Sequence, residues 1–273
     1  MRELPSAKRS SAPPVDPRIA LRELDRFESE ESLKGFIKAA WPVVEPGRPF
    51  SDGWHIDAVC DHLEAVTDGT ISRLLINIPP GFMKSLTTNV LWPAWEWGPK
   101  NLPHKRYVSG SYSETLTVRD NRRTRMLIRD QWYQDLWGDR FTMATDQDSK
   151  IKFENSKRGF KLATSVRGVG TGERGDTVIV DDPHNVKDGE SDAYREEALL
   201  WFTETLPTRM NDPRKSAIVV IMQRIHENDV SGHIIANDLG YTHLMLPMEF
   251  EAERRCYTSI GFKDPRIEDG ELL

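Results

Sequence analysis

The feature that most constrains this chain is an alternation of short β-rich runs with longer helical stretches, beginning near residue 73. "RLLINI" (73–78), "RYVSGSY" (106–112), "DTVIVDD" (176–182), "SAIVVIM" (216–222) and "THLMLP" (242–247) read as strands. Most lack the polar alternation of a half-exposed strand, so they belong inside a sheet covered on both faces. Between them lie "SLTTNVLWPAWEW", a helix disturbed by Pro93, an arginine-rich helix after Tyr112, "SDAYREEALLWFTETL", which Ser191 would cap, and "ENDVSGHIIAND". "KIKFENSKRGFKLAT" reads as a hairpin around Asn155–Gly159. Strands alternating with helices predict an α/β fold around a mainly parallel sheet.

Upstream, residues 1–17 are Pro/Ser-rich and polar, the composition of a flexible arm. Ile19, Leu21, Leu24, Phe27, Leu33, Phe36 and Ile37 recur near helical spacing and predict one or two short helices. "PVVEPGRPFSDG" reads as a linker because Pro42, Pro46 and Pro49 oppose both helix and strand. "WHIDAVCDHLEAV" follows as an amphipathic helix with Ile56, Val59, Cys60, Leu63 and Val66 on one stripe. The expected organisation is an arm with short helices over 1–45, one α/β domain over 46–249, and a linker over 250–273.

Composition narrows the class. With 273 residues, 38% hydrophobic and 29% charged, the chain suits one large soluble domain or a domain with an appendage. No apolar run approaches the roughly 20 residues that span a bilayer. The two cysteines, Cys60 and Cys256, lie far apart, and the seven histidines show no HExxH spacing, so neither a disulfide nor zinc is expected. A net charge of −6 gives no global support for nucleic-acid binding. Local support is offered by "VRDNRRTRMLIRD", whose Arg122, Arg125 and Arg129 share a helix face, with Arg119 and Arg123 nearby. The alternative is a solvated flank balanced by Asp120 and Asp130.

Three stretches carry chemistry. In open α/β sheets ligands bind at the carboxyl ends of strands, and "NIPPGFMKSLT" sits at such a place: strand, turn, helix. The candidate binding loop runs from Pro80 to Leu86; its backbone N–H groups, from Gly81 onward through Phe82 and Met83, and the helix start would face an anion. Lys84 would reach the β/γ-phosphates of ATP, and the Ser85 hydroxyl would hold Mg2+. The G-x-x-x-x-G-K-[ST] pattern is incomplete, since Ile78 and Met83 occupy the two glycine positions. A Pro-Gly turn with an incidental lysine stays open. Next, "DTVIVDDP" ends a buried strand in two carboxylates, which is costly unless they serve a cation or make specific hydrogen bonds. Asp181 would hold Mg2+ and Asp182 would position or deprotonate the attacking water. Finally, "IVVIMQRIHENDVSG" delivers Gln223 and Arg224 to the same edge, Gln223 as a phosphate sensor; otherwise Arg224 pairs with Glu227 or Asp229 in a polar loop.

In order, "PPGFMKS", "SYSETLTVRDNRRTR", "LATSVRGVGTGERGD", "VIVDDPHN", "WFTETLPTRMNDP" and "VIMQRIHENDVSGHI" resemble the large terminase subunit of tailed bacteriophages. The likeness runs from about Trp54 to about Glu249, within a branch whose phosphate loop tolerates a non-glycine before the lysine. It implies a P-loop fold of the additional-strand type and an ATPase motor that drives double-stranded DNA through a portal into a procapsid. It further implies a small-subunit partner, a homo-oligomeric ring with monomers in isolation, no membrane association, and the cytoplasm of an infected bacterium. By the same resemblance Lys84 and Ser85 match the phosphate-loop pair, Asp181 the Mg2+ acid, and Asp182 a catalytic acid that is more often glutamate. Gln223 and Arg224 match the coupling motif, and Trp54 and His55 lie where the family places its adenine contact. Gly81 stands near the loop position where many relatives have an arginine. Arg167 and Arg174 of "SVRGVGTGERGD" are therefore the candidate arginine fingers, Arg167 preferred, or else they bind DNA phosphate or cap a helix. Family members usually add a C-terminal nuclease domain; the expectation is that this sequence covers the motor domain, with residues 250–273 as the linker toward that part. A helicase would need a second lobe for which the length leaves no room. A non-catalytic DNA-binding or assembly module with a degenerate nucleotide site is the remaining alternative.

Overall fold

The computed structural model describes residues 16–166, 168, 172–189 and 191–273. The first fifteen residues, expected as a flexible arm, lie outside this set. Asp16 caps the first helix, α1 (Pro17–Glu31), by accepting the Arg18 N–H, and Pro17 occupies the first turn, where its missing N–H costs nothing. Ser32 caps α2 (Leu33–Val44) through Gly35 N–H. The expected linker starts later than its prolines suggest, because α2 continues through Pro42. Pro42 lies in the last turn, so it removes one helical hydrogen bond and the helix survives.

The amphipathic stretch forms α3 (Trp54–Thr67) and leads into β1 (Arg73–Asn77). Beyond the loop at 78–83, a helix starts at Lys84, widens into a π-type turn over Leu86–Leu91 and resumes as α4 (Trp92–Trp97). There follow β2 (Tyr107–Ser111), the arginine-rich α5 (Glu114–Arg129), α6 (Gln131–Trp137) and β3 (Met143–Asp148). The hairpin of β4 (Lys152–Asn155) and β5 (Phe160–Ser165) turns where expected, with Arg158 left-handed at φ 67° and Gly159 N–H donating to Asn155 Oδ1. Then come β6 (Thr177–Asp181), α7 (Asp192–Leu200) continued by irregular turns to Arg209, β7 (Ala217–Met222), α8 (Val230–Ala236) and β8 (Thr242–Met245). Ser191 sits at the α7 N-cap, but its hydroxyl makes no capping bond.

The strands form one eight-stranded sheet in the order β3-β4-β5-β2-β6-β7-β1-β8. Pairing is parallel from β5 to β8 and antiparallel at β3–β4 and β4–β5, so the sheet is mixed but mostly parallel, with helices on both faces. Strand β3 and helix α6 have no counterpart in the sequence reading. Successive residues of the inner strands feed opposite cores. Leu74 and Ile76 join Ile179, Val219 and Ile221 beneath α2 to α6, whereas Leu75, Val178, Val180 and Val220 pack on Trp201, Phe202 and Ile234. Register aligns Asn77 with Met222 and Asp181 with Ile221, which brings the carboxyl ends of β1, β7 and β6 to one edge. Strand β7 lies between β1 and β6.

The C-terminal stretch, expected as a linker, is packed onto this body. Phe262 stacks on Trp54 at 6.5 Å, and buried Arg266 makes a two-pronged ion pair with Asp264 while donating to Pro247 O at 2.9 Å. Leu273 N–H reaches Met248 O at 2.8 Å.

The hairpin tip is a sharp test of the packing. A Cβ on Gly159 would stand 1.9 Å from Pro103 O and 2.8 Å from Lys105 O, both backbone atoms with little freedom to retreat. Gly159→Ala is expected to cost about 2–3 kcal/mol, read as a lower midpoint in urea unfolding. An unchanged midpoint would show that the loop at 103–105 yields.

Candidate functional site

At the shared strand edge, the loop after β1 bends through Gly81 at φ 93° and Met83 at φ 58° before Lys84 and Ser85 enter the helix. Met83 therefore takes the left-handed backbone that its glycine-like position demands, at a cost of roughly 1–2 kcal/mol. Its half-buried side chain, together with Phe82 and Leu86, packs on the core and offsets part of that cost. Pro80 and Gly81 are exposed at the loop tip.

Lys84 is buried and points across β7 to the end of β6. Its Nζ lies 2.6 Å from Asp182 Oδ1 and 2.5 Å from Oδ2. Asp182 is also left-handed, at φ 43°. Its carboxylate accepts the Gln223 N–H at 3.1 Å, and its own N–H donates to Ile221 O at 3.0 Å. Aspartate tolerates this backbone better than most residues, and its short arm is what the ion pair holds in place.

Asp181, the last residue of β6, is buried. Its Oδ2 accepts from Asn89 Nδ2 at 2.9 Å, while Oδ1 has no hydrogen-bond partner. Burial, then the negative charge of Asp182, push its carboxyl up to about 7; the Ser85 hydroxyl and Lys84 work in the opposite direction. An orphaned carboxylate oxygen beside a serine hydroxyl at the start of a helix suits a divalent cation that takes its remaining oxygens from phosphate and water. Among the described residues no cluster of three or more His, Cys, Asp or Glu side chains could hold a metal by itself. The residues present fit Mg2+ bound together with a phosphate ligand.

The remaining expected residues divide. His55 meets Phe82 edge-on at 5.1 Å and so touches the loop, whereas Trp54 is occupied by Phe262 and by the Arg266 guanidinium at 5.3 Å. Gln223 contributes through its backbone. Arg224 is bound within its own loop, with Nε 3.0 Å from Asp229 Oδ2 and Nη2 donating to His226 O and Glu227 O. Asp229 is fully buried, caps α8 through Gly232 N–H and accepts from Ile225 N–H, so the alternative pairing weighed for Arg224 is the one formed. Arg167 lies outside the described residues. Arg174 is exposed and precedes β6, which puts it at the far edge of the sheet, roughly 15 Å of strand away from Asp182. It is not part of this chain's own Lys84–Asp182 cluster.

On α5 the arginines are largely engaged. Arg119 pairs with buried Asp120, Arg123 with Glu45, and Arg125 donates to Ser149 O at 3.3 Å; Arg122 is exposed. Asp120, expected on a solvated flank, instead joins a buried polar layer. Lys161 is wholly buried, donates to Asn121 Oδ1 at 2.6 Å, and is pushed down to about 8 by burial against the opposing pull of Asp120 and Asp181. Asn89 and Lys161 are residues near the site that sequence reasoning passed over. A visible signal was the polar "TTN" inside an otherwise apolar helix. Two cavities flank the cluster, one of about 330 Å3 bounded by Pro79, Pro80, Gln223 and Met245, and one of about 260 Å3 bounded by Tyr112, Val166, His184 and Ala198.

No model of a known protein family matches the chain, and a search of curated proteins returns no significant match. No helix among the described residues is long and apolar enough to cross a membrane.

Because Asp181 holds its proton more tightly folded than unfolded, its contribution opposes folding increasingly as pH rises from about 4 to about 7. Asp181→Asn removes that penalty. Thermal melts of the ligand-free chain should therefore show the variant more stable than wild type at pH 8, by roughly 1–3 kcal/mol, with the gap closing toward pH 4. A gap independent of pH would mean that Asp181 is ionised without cost.

Proposed function

We propose that this chain is a Mg2+-dependent ATP-hydrolysing domain, the motor part of a viral DNA-packaging terminase. The observation that carries the chemistry is the meeting of Lys84 and Asp182 across an intervening strand, beside an Asp181 oxygen left without a partner. A strand between the loop-bearing β1 and the acid-bearing β6 is the arrangement expected of an additional-strand P-loop ATPase. The ordered motifs supply the rest of the reading. They imply double-stranded DNA, a portal, a procapsid and a small subunit as partners, and a ring as the working assembly inside the infected bacterium.

In this reading the loop N–H groups and Lys84 would bind the β- and γ-phosphates, and Ser85 with Asp181 Oδ1 would hold Mg2+. Mg2+ would neutralise charge on the phosphate oxygens. Lys84 must leave Asp182 to reach phosphate, so nucleotide entry frees the Asp182 carboxylate to accept a proton from the attacking water. The Gln223 N–H then remains to orient Asp182, and its strand carries that contact toward Arg224 and α8. A finger arginine would come from a neighbouring subunit, with Arg167 and Arg174 as candidates.

A non-catalytic DNA-binding or assembly module is the second reading. The observation on its side is that Lys84 is already neutralised by Asp182 within the chain.

Calorimetric titration with ATP and Mg2+ separates the two. Wild type is expected to bind saturably, Lys84→Ala to lose binding, and Asp182→Asn to keep binding while losing about 10²-fold or more in turnover. Saturable binding without turnover, even at concentrations that bring subunits together, would favour the assembly module. Because Lys84→Ala leaves two carboxylates uncompensated, its circular dichroism should be checked first.

A further inference from the structure

We propose that Asn89 is a positioning residue that presents Asp181 to the cation, and that the π-type turn before Pro93 exists to place it. The inference rests on the nucleotide–Mg2+ reading of the site and adds to it a residue that no motif marks.

Pro93 has no N–H, so the carbonyl of Asn89, four residues earlier, has no helical donor. Trp92 N–H bonds instead to Thr87 O, five residues back, which opens the wide turn over Leu86–Leu91. The freed Asn89 carbonyl takes the Thr124 hydroxyl of α5 at 3.1 Å. The wide turn aims the fully buried Asn89 side chain at the end of β6, where Nδ2 meets Asp181 Oδ2 at 2.9 Å. Only the N–H end of the amide suits a carboxylate, and Asn89 Oδ1 is left buried without a partner. An apolar side chain would fill the space without an orphaned amide oxygen but would strip Asp181 Oδ2 of its donor, so the asparagine is there for the carboxylate and not for packing alone. What the asparagine achieves is to occupy one oxygen of Asp181 and leave the other, Oδ1, bare.

The test uses the full chain and Mn2+ as the probe, with cation binding followed by electron paramagnetic resonance in the presence of a non-hydrolysable ATP analogue. Asn89→Ala and Asn89→Thr are compared with wild type, the threonine preserving volume while its hydroxyl is too short to reach Asp181. Both are expected to weaken Mn2+ about 10-fold or more, with analogue affinity in EDTA unchanged. If a folded variant melts earlier yet binds Mn2+ within a factor of about 2 of wild type, Asn89 is structural and the proposal falls. A wild type that binds the analogue equally with and without Mn2+ overturns the cation site and the role of Asn89 together. A wild type that binds no analogue overturns the nucleotide reading itself.

Discussion

Asp181 ends a strand whose every residue is buried, and ionising it there costs free energy that its surroundings only partly return. The groups around it are arranged by that constraint. Asn89 gives one N–H, Ser85 a hydroxyl nearby, and Lys84 and Lys161 bring positive charge from the helix after β1 and from β5. Asp182 adds negative charge next to Asp181, while Asp120 is paired with Arg119. Asp181 Oδ1 is still left without a partner, so the ligand-free site holds the cost of a buried carboxyl incompletely satisfied.

The backbone carries strain at the same spot. Met83 and Asp182 are left-handed, and each holds one end of the contact across β7: Met83 sets where Lys84 begins, and Asp182 receives it. Strain of this sort persists only where surroundings over-determine it. Here the loop is fixed by Phe82 and Met83 on the core, and Asp182 by hydrogen bonds from Gln223 and to Ile221. The ion pair also makes the site responsive, since anything that draws Lys84 away changes what Asp182 can do.

Much of this was legible beforehand because it depends on local order. Apolar runs without alternation mark buried parallel strands, so β1, β6 and β7 could be placed from residue type alone. The β6 and β7 runs end in polar residues, which put Asp181, Asp182 and Gln223 at strand ends, and the turn after β1 put Lys84 at a helix start. Strand β3 escaped because "MATDQD" carries no apolar run and pairs only at a sheet edge. Helix α2 outlasted Pro42 because a proline in a last turn removes a single hydrogen bond. The C-terminal stretch read as a linker by composition, yet the stack of Phe262 on Trp54 and the buried pair of Arg266 with Asp264 depend on partners distant in sequence.

The α/β class, the strand–turn–helix around Lys84 and the acidic end of β6 follow from local order, since propensity, period and breaker residues act over a few positions. That β7 stands between those two strands, that Arg224 is consumed by Asp229, that Arg174 lies at the opposite end of β6, and that Asn89 faces Asp181 emerge with the assembled fold. Those outcomes turn on strand order and on which side chains meet after burial, and burial energies are settled among residues far apart in the chain.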